Sequence, residues 1–129
     1  MNNKEKIITE LKDFCENIEK WFQGNEKDQE VLFRKILSGF SPDFKMINGD
    51  GNTATLALFS EWLPTVFGKF TDRTVQIENI EIHCSEHHGL ATYTEIQTTE
   101  GIVNRRKASA IFLFNEKKAL WFHLVENWI

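Results

Sequence analysis

Two apolar segments at the carboxyl end of the chain constrain the fold most strongly. Ile102–Phe114 and residues 118–129 are rich in aromatic and branched side chains, and a short polar stretch at 115–118 connects them. This composition and this spacing predict a β-hairpin. Because both strands are apolar on both faces, we expect helices to cover one face of the hairpin and other protein, such as a second subunit, to cover the opposite face.

A two-residue turn would place Phe114 opposite Ala119, and that register fixes every other pair of the hairpin. One face would then carry the pairs Phe112 with Trp121, Ala110 with His123, Ala108 with Val125 and Arg106 with Asn127. The other face would carry Leu113 with Leu120, Ile111 with Phe122, Ser109 with Leu124, Lys107 with Glu126 and Arg105 with Trp128. We expect this second face to point inward, beneath the helices. A slip of one residue would exchange the two faces.

The composition is that of an ordinary soluble globular protein. The chain has 129 residues, of which 41% are hydrophobic and 26% charged, and its net charge is -4. The length suits one domain over residues 1–129, and the negative charge argues against a nucleic-acid partner. No apolar run resembles a membrane span or a signal peptide, so we expect a cytoplasmic protein with no membrane partner. In that reducing compartment Cys15 and Cys84 should be free thiols.

Three amphipathic helices are predicted in the first half of the chain. The first covers residues 4–23 and ends at Gly24. The second is capped by Asn25 and ends near position 37. The third lies within residues 55–68, where Pro64 predicts either a kink or a later start capped by the serine at position 60.

Strand patterns fill the rest of the chain. A short strand at 43–47 leads into a turn at 48–52. Strands at 74–84 and 90–99 precede the closing hairpin, and a change of apolar phase at Glu78-Asn79 predicts a β-bulge. One-sided helices followed by long antiparallel strands predict an α+β fold in which the helices cover one face of a curved sheet.

Two short segments match the pattern of a known family. The first helix ends in Trp21-Phe22-Gln23-Gly24-Asn25, and the last strand contains Trp121-Phe122-His123-Leu124-Val125-Glu126-Asn127-Trp128. Together with the order of the elements, these segments resemble the NTF2-like superfamily, which includes SnoaL-like proteins and ketosteroid isomerases. Val125 and Asn127 depart from the pattern, since many relatives have histidine there.

The resemblance implies a cone-shaped α+β barrel, also described as cystatin-like, with three helices packed on a strongly curved, mostly antiparallel sheet. It also implies a pocket between the sheet and the helices, and a homodimer formed through the outer face of the sheet. It implies no particular reaction, because one fold carries many functions.

The polar residues at the end of the second hairpin face are the first candidates for a site. Lys107 and Glu126 form either a cross-strand ion pair or a lysine beside a carboxylate that acts as a general base at the mouth of a pocket. Arg105 beside Trp128 predicts a cation–π contact, which is either structural or part of a ligand site.

Three further side chains are candidates. His123 lies in mid-strand beside the small Ala110, where it is either a buried or interface histidine or a ligand contact. Tyr93 and Glu95 share one face of their strand, and they form either a solvated polar row or a hydroxyl donor with an acid. Isomerases of the superfamily use a tyrosine and acidic residues, but the local sequence does not match their motif, so the resemblance assigns no roles here.

We expect no metal and no cofactor. His83, Cys84, Glu86, His87 and His88 are close in sequence, but neighbouring strand residues point to opposite faces and no second set of ligands has zinc-site spacing. The chain has no glycine-rich phosphate loop and no nucleophile elbow.

Three functions stay open. The first is a domain that binds a small molecule in an apolar cone pocket, since the chain contains 11 Phe and 4 Trp. The second is a cofactor-free acid–base enzyme, such as an isomerase, cyclase or dehydratase, with Glu126 or Glu95 as the base. The third is a dimerisation or interaction module that uses an aromatic outer face of the sheet containing Phe112 and Trp121.

Overall fold

A six-stranded curled sheet carries the helices. The computed structural model describes the whole chain, Met1–Ile129. The helices are α1 (Asn3–Gln23), α2 (Gln29–Leu37) and α3 (Leu56–Trp62), and a 3₁₀ helix, Leu63–Val66, continues α3. The strands are β1 (Phe40–Ile47), β2 (Thr53–Thr55), β3 (Thr74–Cys84), β4 (His88–Thr99), β5 (Ile102–Phe114) and β6 (Ala119–Trp128).

The order of the strands confirms the predicted α+β architecture. The sheet runs β2-β1-β6-β5-β4-β3, and all neighbours are antiparallel except β1 and β6. The sheet curls without closing, because β2 and β3 form its two free edges. The long strands from β3 to β6 make the wall on which the helices pack.

Helix α1 is held on the sheet by a buried apolar stripe. It contacts β3, β4 and β6, and its stripe consists of Ile7, Leu11, Ile18, Trp21 and Phe22. Burial of each large apolar side chain contributes about 1.5–3 kcal/mol. The helix begins where the Asn2 side chain accepts a hydrogen bond from the backbone N–H of Glu5, and it ends at Gly24 with φ +72°.

The predicted caps of the other two helices were wrong. Helix α2 is capped by Asp28, whose carboxylate accepts from the backbone N–H of Val31, so the helix begins later than a cap at Asn25 would allow. Helix α3 is capped by Thr55. Since proline has no N–H to donate, the α-helical bonding stops at Trp62 and Pro64 lies in the following 3₁₀ helix.

The predicted bulge in β3 is confirmed, and two features of the sheet were not foreseen. The β3–β4 register shifts between Glu78 and Glu81, and Asn79 adopts φ +56°. Strand β1 begins at Phe40 rather than at position 43, and the short strand β2 pairs with it.

A second bulge, in β6, was not predicted and decides which side chains face the helices. Phe112 pairs with Trp121 as expected, but both rings are buried in the core and not exposed on the outer face, as the interaction-module hypothesis required. The next residue of β5, Ile111, pairs with His123. Phe122 is therefore an extra residue in β6, and every later pair is displaced by one position.

The displaced register overturns two predicted pairs. Glu126 lies opposite Ala108, and Trp128 lies opposite Arg106, so neither the Lys107–Glu126 pair nor the Arg105–Trp128 pair exists. Ala108 is buried, which places Glu126 on the face that the helices cover.

None of the helices combines the length and the hydropathy that a membrane span requires. The cytoplasmic location expected from the sequence stays a prediction.

Candidate functional site

A cavity of about 400 Å³ lies between the sheet and helices α1 and α3. Of its 18 lining residues, 13 are hydrophobic. The aromatic members are Phe14, Phe22, Phe40, Phe44, Phe59, Trp62, Tyr93 and Trp121. Small-molecule sites usually occupy about 300–1,000 Å³ and have mostly apolar walls with a few polar groups, so the cavity has the size and the character of such a site.

The aromatic wall is braced by contacts between its rings. The Trp121 ring lies 5.4 Å from Phe14 and 5.9 Å from Phe40, and Phe40 meets Phe44 edge to face at 4.7 Å between ring centres. The indole N–H of Trp121 donates to the Glu10 carboxylate at 3.0 Å. These contacts fix the ring orientations, which keeps the wall from collapsing into the cavity.

The cavity opens beside helix α3. Leu58 and Trp62 line it, yet they are 51% and 44% exposed. Large apolar side chains that are exposed at the rim of a cavity are typical of ligand sites.

Four polar side chains form a buried group in this cavity, which we name the acid–arginine cluster: Glu95, Gln97, Arg106 and Glu126. Arg106 Nη1 donates to Glu126 Oε1 at 3.3 Å, and Arg106 Nε lies 3.5 Å from Glu95 Oε2. Gln97 Nε2 donates to the same oxygen of Glu95 at 2.9 Å. The side chains of Glu95 and Glu126 are only 8% and 6% exposed, so one buried guanidinium serves two buried carboxylates.

Two aromatic residues complete the surroundings of the cluster. Tyr93 lines the cavity and is 5% exposed. The ring of Trp128 covers Arg106, with 4.5 Å between the guanidinium carbon and the ring centre, and its N–H donates to Asp50 at 2.9 Å. The turn that contains Asp50 thus holds Trp128 over the arginine.

Burial raises the pKa of both carboxyl groups in the cluster. The pKa of Glu126 rises from 4.5 to about 7, because burial and the nearby Glu95 charge outweigh the attraction of Arg106. The pKa of Glu95 is also raised by burial, against the attraction of Arg106 and the hydrogen bond from Gln97. The two carboxyl groups therefore hold a proton that is exchangeable close to neutral pH.

The structure brings together three of the seven residues predicted to form a site. Glu126, Glu95 and Tyr93 all line the cavity. Trp128 stands beside them through its contact with Arg106. The roles predicted for these residues stay predictions.

The other three predicted residues do not line the cavity. Arg105 is exposed and forms an ion pair with Glu78 at 3.3 Å, while Lys107 is exposed on the same outer face. His123 is paired with Ile111 on that face. The inward placement predicted for Arg105 and Lys107 was wrong, because the buried side of β5 carries Arg106, Ala108 and Ala110. The predicted neighbour of His123, Ala110, was also wrong, because the bulge at Phe122 pairs His123 with Ile111.

Arg106, the centre of the cluster, was placed on the wrong face by sequence reasoning. The sequence contains a signal for its correct pairing, because Glu100-Gly101 between the two strand patterns suits a two-residue hairpin turn. In the structure both residues adopt the positive φ of such a turn, +53° and +78°. Such a two-residue turn sets Thr99 opposite Ile102, and counting back along both strands sets Glu95 opposite Arg106.

The histidine and cysteine residues near the β3–β4 turn form no metal centre. No group of three or more His, Cys, Asp or Glu side chains is arranged to hold a metal ion. Cys84 is exposed and Cys15 is buried, and both are free thiols.

Comparison with solved structures identifies the fold. An NTF2-like protein of unknown function from Pseudomonas aeruginosa is 18% identical, with a TM-score of 0.89 over 96% of this chain and 98% of that chain. A CamKII hub homology domain from Chlamydomonas reinhardtii is 8% identical, with a TM-score of 0.75 over 98% of each chain. A scytalone-dehydratase-like protein from Novosphingobium aromaticivorans is 12% identical, with a TM-score of 0.73 over 98% of this chain and 83% of that chain.

These likenesses show that the chain has the NTF2-like, cystatin-like fold, as its sequence motifs suggested. No protein-family model matches the sequence, and no curated protein is similar to it. Since proteins with this fold include one of unknown function, a CamKII hub homology domain and a scytalone-dehydratase-like protein, the fold alone selects no function.

The raised pKa of Glu126 predicts that this residue makes stability depend on pH. Between pH 4.5 and about 7 the folded protein holds a proton that the unfolded chain has lost, so the free energy of unfolding decreases as pH rises through this window. Glutamine imitates the protonated carboxyl and does not titrate. Relative to the unmodified protein, Glu126→Gln should therefore gain about 1–3 kcal/mol between pH 5 and pH 8.

Urea denaturation followed by tryptophan fluorescence measures this difference across the pH range. Glu10, whose pKa is also raised, titrates in both proteins and cancels in the comparison, so the difference reports the Glu126 carboxyl together with its coupled neighbour Glu95. Glu81→Gln, at an exposed position of β3, is the matched control and should leave the curve unchanged. Parallel curves for the Glu126→Gln variant and the unmodified protein would contradict the assignment.

Proposed function

We propose that this protein binds a small, largely apolar molecule in the cavity and holds the polar group of that molecule at the acid–arginine cluster and Tyr93. The observation that carries the proposal is an aromatic cavity of about 400 Å³ with charged groups buried in its wall. Apolar walls supply the free energy of binding, and a few fixed polar groups supply orientation and specificity.

The free energy lost when the charged groups of the cluster are buried supports a role for them other than stabilising the fold. Each buried ion loses several kcal/mol of hydration, and replacing a buried ion pair by apolar side chains is often neutral or stabilising. Glu95, Arg106 and Glu126 therefore add little net stability, yet they occupy the wall of this mostly apolar cavity. Binding of a ligand that contacts these charged groups would explain why they are buried in the cavity wall.

A substitution that fills the cavity tests the binding function. Met46 lines the cavity from β1, and its neighbour Lys45 is exposed on the opposite face of the same strand. In a thermal-shift screen of small aromatic amines, alcohols, sterols and carboxylates, ligands that raise Tm of the unmodified protein should lose about tenfold or more in affinity for Met46→Trp, since the indole takes up the space of the ligand.

Lys45→Trp is the matched control, because it adds the same indole outside the cavity. Calorimetric titration of the ligands found by the screen measures both variants. Equal affinities for the two variants would place binding elsewhere, and a screen in which no compound stabilises the protein would refute the proposal.

Acid–base catalysis without a cofactor is the second candidate function. A pKa of about 7 makes Glu126 able to accept and return a proton at neutral pH. Tyr93 lines the cavity, and its hydroxyl can donate a hydrogen bond to negative charge that develops on a bound substrate. Isomerisation, cyclisation and dehydration need no more than a base, an acid and an apolar enclosure.

The two candidates differ in what Glu126→Gln does to a bound ligand. If the protein is an enzyme, this variant should still bind the ligand but convert it about 100-fold or more slowly, because the carboxamide has no basic lone pair of comparable strength. Chromatographic analysis of each ligand after incubation measures conversion, with Glu81→Gln as the control. Ligands that are recovered unchanged from the unmodified protein would argue for binding alone.

We also propose that two copies of the chain associate through the outer face of the sheet. Leu90, Ile111 and His123 are direct neighbours across β4, β5 and β6, and the first two are each 38% exposed. The partly buried Leu113, Leu120 and Val125 extend this apolar patch. Apolar side chains that adjoin across three strands are typical of a protein interface.

Association should be sensitive to a charge placed in that patch. Ile111→Glu should weaken the dimer by about 2 kcal/mol or more, because a carboxylate would be buried without a partner. Sedimentation velocity over a range of concentrations measures the dissociation constant. Val103→Glu, on the same face of β5 but away from the patch, is the control; a protein that sediments as a monomer throughout would refute the dimer.

A further inference from the structure

The two carboxylates of the acid–arginine cluster have acceptor capacity that no donor of the chain uses. Arg106 Nε is a buried donor without a hydrogen-bond partner, but it faces a carboxylate of the chain, since it lies 3.5 Å from Glu95 Oε2. Each ionised carboxylate can accept about four hydrogen bonds. Glu126 accepts one from Arg106, and Glu95 accepts one from Gln97, so both carboxylates have unused capacity. Tyr93, which lines the cavity and is 5% exposed, offers its hydroxyl oxygen as a further acceptor. A ligand that donates hydrogen bonds would satisfy all three residues.

The charge of the cluster points the same way. Two carboxylates share the single guanidinium of Arg106, so the ionised cluster carries a net negative charge. The nearest other cation, Arg73, does not line the cavity; its guanidinium lies over the rings of Phe22 and Phe70, and its Nε donates to Thr99. An anionic ligand would meet repulsion here and would compete for an arginine that is already shared, whereas a cation would be attracted.

The aromatic wall favours the same ligands. The faces of Phe, Tyr and Trp rings carry partial negative charge and attract cations, most strongly where water is excluded. Much of the cavity surface consists of such rings, and Tyr93 and Trp121 lie on the same strands as Glu95 and Glu126. The aromatic rings and the carboxylates can therefore attract the same positive charge of a ligand.

We infer that the cavity is selective for organic amines in their protonated form, and that it discriminates against carboxylates built on the same apolar skeleton. The ammonium group donates to Glu95, Glu126 and Tyr93, and the skeleton lies against the aromatic wall. The inference rests on the proposed binding function and specifies the chemical class of the ligand.

Binding of an amine should displace a proton from the cluster. The groups that face Glu126 and Glu95 are each other, Arg106 and Tyr93 in the wall, Arg73 just before β3, and the buried Cys15 of α1. Glu126, with a pKa of about 7, exchanges a proton close to neutrality. An ammonium beside Glu126 stabilises the ionised carboxylate and lowers its pKa below about 7, so the proton leaves on binding.

Matched ligand sets test the selectivity. Indolylethyl, phenylbutyl and naphthylmethyl skeletons are each titrated as the amine, the alcohol and the carboxylate, using the full chain and calorimetry at pH 6.5. We expect each amine to bind about tenfold or more tightly than the carboxylate of its skeleton, with the alcohol between them. Titration in buffers of different ionisation enthalpy should show proton release with the amines alone.

The outcomes separate the inference from the function on which it rests. Carboxylates that bind as tightly as the amines, or more tightly, would overturn the selectivity and leave the binding function intact. Failure of every member of every set to bind would overturn both.

Variants of the cluster connect the selectivity to these residues. Glu126→Gln and Glu95→Gln should each reduce the preference for the amine over the carboxylate about tenfold, and Glu126→Gln should abolish most of the proton release. Glu81→Gln should change neither quantity. A preference that survives both cluster variants unchanged would place the ligand charge elsewhere and refute the assignment.

Discussion

One buried guanidinium held between two buried carboxylates is the interaction around which the cavity is built. Arg106 contacts Glu126 at 3.3 Å and Glu95 at 3.5 Å. Removing Arg106 would leave two buried carboxylates without a cation, and breaking a buried ion pair in this way typically costs about 3–5 kcal/mol. The carboxyl groups limit that cost by raising their pKa values and taking up a proton. The chemistry of the site follows from this compromise between burial and charge.

The register of three strands is what makes the cluster possible. The tight turn at Glu100 and Gly101 sets Glu95 opposite Arg106, and the extra residue in β6 turns Glu126 towards the same face. Without the bulge, the residues of β6 that follow Phe122 would exchange faces, and Glu126 would lie on the outer face of the sheet. A single inserted residue thus converts an exposed carboxylate into a buried one.

Much of the fold could be predicted because its signals are local and periodic. The long closing hairpin, the amphipathic α1 and the bulge at Asn79 all follow from apolar spacing and turn chemistry. The caps of α2 and α3 could not be chosen from sequence, since several polar residues near each helix start are able to cap it.

Only part of the site could be predicted, because the side chains that face the cavity are decided by how the strands pair and not by which residues the strands contain. Glu95, Tyr93 and Glu126 were identified as candidates, but Arg105 and Lys107 were assigned a place that Arg106 occupies. A bulge in a uniformly apolar strand leaves no change of polarity by which to find it, since both faces of β6 carry large apolar side chains. The bulge in β3 was visible because that strand alternates.

Selective binding of amines and acid–base catalysis both depend on the proton of Glu126, so one function limits the other. A general base works best when its pKa lies near the working pH, and the pKa of Glu126 in the empty cavity meets that condition. A cationic ligand beside Glu126 would lower this pKa and weaken the carboxylate as a base. A protein that selects amines is therefore poorly suited to use Glu126 for proton abstraction, whereas a neutral ligand leaves its basicity intact. The charge of the ligand thus decides whether this cluster holds a molecule or transforms it.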